Sequence, residues 1–209
     1  MISRFPLTVL VAFAACVWAL VLAGHGWLIP ASFFTPLSFV IGALSLVLLA
    51  FDRVAWSWPG VRILAQRPDL RGTWRGTLKS DWTKEDGSHV EPIGVFLVVH
   101  QTFSEIHLRL LTPESHSTAI AATVHREPDE RFAVASVYRN EPKLEVRQRS
   151  PIHRGGLHLL VVGEDGDRLQ GEYWTDRGTR GSIDLRRVSR RAALDYESAG
   201  SLARPSAGS

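Results

Sequence analysis

Cysteine is nearly absent from this chain. Cys16 stands alone among 209 residues, so no intrachain disulfide can form and no thiolate metal site can be built. A chain without disulfides suits a reducing compartment. Charge is scarce at one end: residues 1–58 carry only Arg4, Asp52 and Arg53. Beyond them the two signs are nearly balanced, within totals of 24 basic and 21 acidic residues. No broad cationic face is left for a DNA or RNA polymer, although two or three arginines could still hold a small anionic ligand. Enzyme signatures are missing too. There is no Gly-x-Ser-x-Gly elbow. The seven histidines beyond residue 58, His89, His100, His107, His116, His125, His153 and His158, are scattered, with no i, i+4 pair and no H-x-H, and they read as structural or surface groups. Gly155-Gly156 and the 163–166 stretch read as turn glycines, because no helix follows to make a phosphate loop. These absences predict a protein that is not an enzyme and has no metal and no cofactor.

What is present begins with two apolar runs, about 5–23 and 33–56. Each approaches the ~20 residues that cross the hydrocarbon core as a helix. The stretch between them, 24–30, holds Gly24, Gly26 and Pro30 as breakers. Backbone groups in lipid must be paired internally, so two such runs predict a two-span helical hairpin over 1–58. A cleaved leader ending near Gly24 would need a small-x-small site that is not evident, and the second run would still anchor the product. Arg4 precedes the first run, Arg53, Arg62, Arg67 and Arg71 follow the second, and the loop has no Lys or Arg. By the positive-inside rule both termini and the remainder of the chain are expected to face the cytoplasm. Ser38 and Gly42 lie four apart, a small-xxx-small spacing that permits helix association.

After a connector over 59–70, the pattern changes to period two. Eight strands are predicted, at 72–82, 91–103, 105–111, 117–126, 131–139, 156–163, 168–176 and 180–188. Ile106, Leu108 and Leu110 alternate with His107 and Arg109, and Ile183 and Leu185 with Ser182, Asp184 and Arg186. Turn signals separate the strands at Asp86-Gly87, Thr112-Pro113, Pro128-Asp129, 140–142, Asp165-Gly166 and Arg177-Gly178. The fold class is therefore all-β: an eight-stranded antiparallel up-and-down barrel over 71–190, behind the hairpin, with a two-sheet sandwich as the alternative. A barrel of eight has room for packed side chains or one small ligand. Residues 191–209, rich in Ser, Ala, Gly and Arg, are expected as a disordered tail.

Candidate ligand-binding groups flank strand ends. Ser115, His116 and Ser117 open the fourth strand; Tyr138, Arg139 and Asn140 close the fifth; Tyr173, Thr175 and Arg177 close the seventh. In an up-and-down barrel these ends share one rim. Tyrosines there could stack bases, and arginines with hydroxyls and amides could bind phosphate.

The order of these motifs is familiar. Two membrane helices are followed by Arg67-Pro68-Asp69-Leu70-Arg71-Gly72-Thr73-Trp74-Arg75-Gly76, then Ser115-His116-Ser117, then Tyr138-Arg139-Asn140-Glu141-Pro142, then Leu169-Gln170-Gly171-Glu172-Tyr173-Trp174-Thr175-Asp176-Arg177. The chain resembles the two-transmembrane β-barrel effectors of CBASS anti-phage defence, which accompany bacterial CD-NTases. That resemblance implies a receptor in the bacterial inner membrane: the barrel binds a cyclic dinucleotide, the protein self-associates into an oligomer, and its helices disrupt the lipid bilayer to cause abortive infection. Gly72-x-Trp74 is also similar to the Gly-x-Trp of lipocalins, which implies a packing role for Trp74. Two other readings of the residues stay open: a membrane-anchored carrier of an apolar ligand, suggested by inward Val95, Leu97 and Val99, and a membrane scaffold with a protein-binding barrel.

Overall fold

The structure is a computed structural model that describes residues 7–25, 35–61, 66–83, 87–88, 90–163 and 166–204. Arg4, the center of the 24–30 loop, Arg62, Asp86, His89, Asp165 and residues 205–209 lie outside the described residues. The chain divides into two compact units, one of residues 1–67 with the turn 102–105, the other of 68–101 and 106–209.

The first unit contains helices α1 (Leu7–His25) and α2 (Thr35–Arg53). At 1.5 Å per residue each is about 28 Å long, and the two are in contact. Among the described residues no helix is long and apolar enough to cross a membrane; side chains within both helices, including 7–10 and 35–40, fall outside that set. Asp52, at the end of α2, is buried, at 1% exposed. Its carboxylate accepts from the Ser104 N–H at 2.9 Å and its carbonyl from the Phe103 N–H at 2.9 Å. The Phe103 ring packs edge-on against Phe51 and beside Trp56.

The second unit is a closed barrel with neighbours in chain order: β1 (Gly72–Ser80), β2 (Ile93–Gln101), β3 (Ile106–Leu111), β4 (Ser115–Arg126), β5 (Phe132–Pro142), β6 (His153–Val162), β7 (Arg168–Thr175) and β8 (Arg180–Ser189). All pairs are antiparallel, and β1 closes onto β8. The up-and-down barrel expected from the alternation is thus observed, and the sandwich is not. Closure removes both edges that an open eight-stranded sheet would expose. Inward positions form one core that includes Trp74, Val95, Leu97, Val99, Leu108, Val134, Leu159, Leu169 and Leu185.

One end of the barrel is plugged. Trp74 is fully buried and donates its Nε1–H to the Leu70 carbonyl at 2.9 Å. The Arg187 guanidinium, on the paired strand, lies 4.6 Å over the indole and donates to the carbonyls of Asp69 and Gly166. Burial opposes ionisation of Asp69, but hydrogen bonds and charge from Arg71, with charge from Arg190, outweigh it and hold its carboxyl below the usual range. This cation-capped indole is the packing role expected of Trp74.

Three expectations need correction. The segment 191–204 is ordered, not a disordered tail. Thr73 Oγ1 donates to the Arg191 carbonyl and accepts from the Ala193 N–H, and helix α3 (Tyr196–Leu202) starts from an Asp195–Ser198 capping box. Ala193 and Ala199 are buried against Phe96, Val98 and Leu111, with Tyr196 edge-on to Phe96. Composition missed this strap because its small apolar residues gain stability only from the outer face of β2, which is buried on both sides. Residues 140–142 are not a turn either: β5 runs through Pro142, which pairs with Ser115. Gly155-Gly156 are not turn glycines but lie within β6.

Candidate ligand-binding site

At the end opposite Trp74 the barrel opens into a cavity of about 770 Å³, a volume typical of small-molecule sites. The ends of β1, β3, β5 and β7 and the starts of β2, β4, β6 and β8 form its mouth. Leu78, Ile93, Leu97, Leu108, Leu110 and Leu157 line the lower wall. Above them stands a polar collar: Ser115 and Ser117 from β4, Tyr138 and Asn140 from β5, Tyr173 and Thr175 from β7, and Arg177 just beyond. Seven of the nine residues expected at the rim therefore meet around one space.

His116 and Arg139 do not. Strand alternation turns them outward. Arg139 pairs with Glu141 at 3.1 Å, and His116 lies 4.0 Å from the same carboxylate. Treating three consecutive strand residues as one cluster ignored the period of two. Arg177→Ala is accordingly expected to weaken anionic-ligand binding about tenfold, by losing one charge-assisted contact, whereas Arg139→Ala should leave affinity unchanged. Isothermal titration of both variants checks this; equal losses would put the ligand outside the mouth.

The two tyrosines are held by register. Tyr138 pairs with Gly155 on β6, and Gly155 pairs with Thr175 on β7. A Cβ on Gly155 would come 2.5 Å from the Tyr138 ring, so the missing side chain is what lets this ring lie across β6. Tyr173 pairs with Gly181 on β8, which pairs with Ser80 on β1. A Cβ on Gly181 would come 2.7 Å from the Tyr173 ring. Tyr173 thus crosses β8, and its hydroxyl hydrogen-bonds to Ser80. The same device, an aromatic ring laid over a glycine of the next strand, occurs twice at one mouth.

Both rings are 8% exposed. Burial pushes the Tyr138 hydroxyl up to about 12, aided by the nearby Tyr173, and raises Tyr173 as well. Both phenols are therefore neutral donors at cellular pH. On β4–β5, Ser117 donates to Asn140 Oδ1 at 2.9 Å. The Asn140 Nδ2 carries the two N–H donors of the amide. Thr175 and Thr179 hydroxyls lie 2.7 Å apart.

The mouth also holds residues that strand-end reasoning missed. The connection between β5 and β6 contributes Val146, Arg149 and Ser150, with His153 at the start of β6. Arg177 reaches Ser150 at 3.4 Å, and Arg149 pairs with Glu114. Burial lowers the His153 imidazole, and the Arg177 charge adds to this, so His153 is neutral near pH 7. The sequence signal was the arginine pair Arg147 and Arg149, in a stretch without strand alternation.

An open polar collar over an apolar wall, with two rings and an arginine, fits an amphipathic anion with planar groups. A family model for the Cap15 cyclic dinucleotide receptor domain matches residues 65–187. The chain belongs to the Cap15 family. It is 27% identical over 152 residues to the CD-NTase-associated protein 15 of Staphylococcus schleiferi, covering 73% of this chain and 79% of that relative. A redesigned β-barrel of known structure aligns with a TM-score of 0.27 at 13% identity, over 57% of this chain and 92% of its own, too distant to carry weight. Membership agrees with the resemblance to CBASS cyclic dinucleotide receptors drawn from the motif order. The Cap15 match spans the barrel from its plug to β8 and so contains every residue of the mouth. It begins after α1 and α2.

Proposed function

We propose that this Cap15 protein is a membrane-anchored, non-catalytic effector that binds a cyclic dinucleotide in the barrel mouth. The observation that carries the reading is the pair of tyrosines lying across Gly155 and Gly181 under a Ser, Asn, Thr and Arg collar. Two rings offer two stacking faces for two bases. Arg177 supplies charge for phosphate, and the hydroxyls and the Asn140 amide supply donors for phosphate or sugar oxygens. The apolar lower wall keeps water from competing with these contacts.

Further steps belong to the same proposal. The apolar runs 5–23 and 33–56 form a two-span hairpin in the inner membrane, with both termini and the barrel cytoplasmic. Ligand shifts the protein toward an assembled state by binding it more tightly than the monomer. Confinement to one membrane plane raises the effective concentration for that assembly. Clustered hairpins then disrupt the bilayer and the infected cell dies. The messenger comes from a CD-NTase, the enzyme class named in the S. schleiferi relative.

The test is a titration of the detergent-solubilised full chain with a panel of cyclic dinucleotides at low salt, read by calorimetry. Saturable binding of at least one member, one ligand per barrel, is expected. Failure of every member to bind while an apolar lipid co-purifies would replace this reading with that of a carrier.

A further inference from the structure

A second cluster lies on the outer wall, toward the plugged end. His125 and Glu127 sit two apart at the end of β4 and its turn. His158 is on β6, and β5 runs between them. Inward Val124, Val134, Leu157 and Leu159 belong to or pack on the core, so alternation turns His125 and His158 outward. His125 pairs with Ala133 and His158 with Ala135. Both β5 neighbours are alanines, and Ala133 is 0% exposed. Small residues on the middle strand let the imidazoles lean together, and their ring centroids are 5.9 Å apart. Both Nε2 atoms lie 3.1 Å from the same oxygen, Oε1 of Glu127. The three ligand atoms are all within 4.8 Å of one another.

We propose that His125, Glu127 and His158 bind a divalent first-row transition-metal ion, with Zn²⁺ as the best match. Two imidazole nitrogens and one carboxylate oxygen are a common zinc donor set, with a fourth position left for water. Tetrahedral bonds of about 2.0–2.1 Å place ligand atoms about 3.3–3.5 Å apart. The two 3.1 Å separations already match this, and small side-chain rotations bring the third edge in. In the metal-free chain each imidazole donates its Nε2–H to Glu127. On binding, the Nε2 proton is given up to solvent, a proton is carried on Nδ1 instead, and the Nε2 lone pair is offered to the ion. Nearby charges are already engaged: Arg131 with Asp129 and Arg126 with Glu130. The ion would staple the β4–β5 hairpin to β6, far from the mouth.

The experiment uses the tag-free full chain, stripped with chelator and titrated with Zn²⁺ by calorimetry and with Co²⁺ by visible absorption. One Zn²⁺ per chain is expected, with tetrahedral Co²⁺ bands that Zn²⁺ displaces. His158→Ala should weaken binding at least about tenfold, and the double variant His125→Ala/His158→Ala should abolish it while retaining the β spectrum. Glu127→Gln serves as an independent variant if the double one misfolds, and should weaken binding similarly. Absence of binding up to millimolar Zn²⁺, or undiminished affinity in these variants, overturns the proposal. Cyclic dinucleotide affinity should be unchanged in all three.

Discussion

Replacing Tyr138 and Tyr173 together by alanine is expected to reduce cyclic dinucleotide affinity by roughly 30-fold to about 10⁴-fold. Base–aromatic stacking contributes about 1–3 kcal/mol per base, and the mouth holds one ring for each of two bases. The expectation follows from how the rings are held. Each lies over a glycine, so neither has to give up much rotamer freedom when a ligand arrives. Free rings would pay that cost on binding. The phenylalanine pair, Tyr138→Phe/Tyr173→Phe, is the control. It keeps both faces and removes only the hydroxyls, so it should lose far less. Calorimetric titration of both double variants separates stacking from hydrogen bonding. Equal loss in the two would mean that the phenols, not the ring faces, hold the ligand. Unchanged affinity in both would remove the tyrosines from the site.

Trp74→Ala should be the most damaging single change to the barrel itself. Removing a buried Trp or Phe costs about 3–5 kcal/mol. Here the loss also strips Arg187 of the ring it covers and the Leu70 carbonyl of its donor. For a domain of this size that corresponds to a melting temperature lower by about 10–20 °C, measurable by circular dichroism. Ligand affinity of the fraction still folded should change little, because the plug and the mouth are at opposite ends. A drop of less than a few degrees would show that the plug does not hold the barrel closed.

The residues of the mouth illustrate what a sequence can and cannot disclose. Ser117, Tyr138, Asn140, Tyr173 and Thr175 were legible because strand-end position and residue type both pointed at a rim. His116 and Arg139 looked equivalent to their neighbours, yet a period of two turns alternate residues outward. Arg149 and Ser150 were missed because they lie in a connection without periodicity, which only folding brings over the opening, and His153 because β6 begins three residues before the predicted strand. Gly155 read as a turn residue because its use depends on Tyr138, which is on another strand. His125, Glu127 and His158 looked scattered for the same reason: their proximity depends on β5 lying between β4 and β6.

The order of apolar, polar and turn residues along the chain was enough to predict an all-β domain of eight antiparallel strands, with a closed barrel favoured and a two-sheet sandwich left open. Those features follow from local alternation and short connections, which each segment carries within itself. Tertiary structure alone decided which side chains face the cavity together, that 191–204 seals β2, and that two imidazoles converge on one carboxylate. Each of these depends on register between strands far apart in sequence, and a shift of one residue would send every side chain to the opposite face.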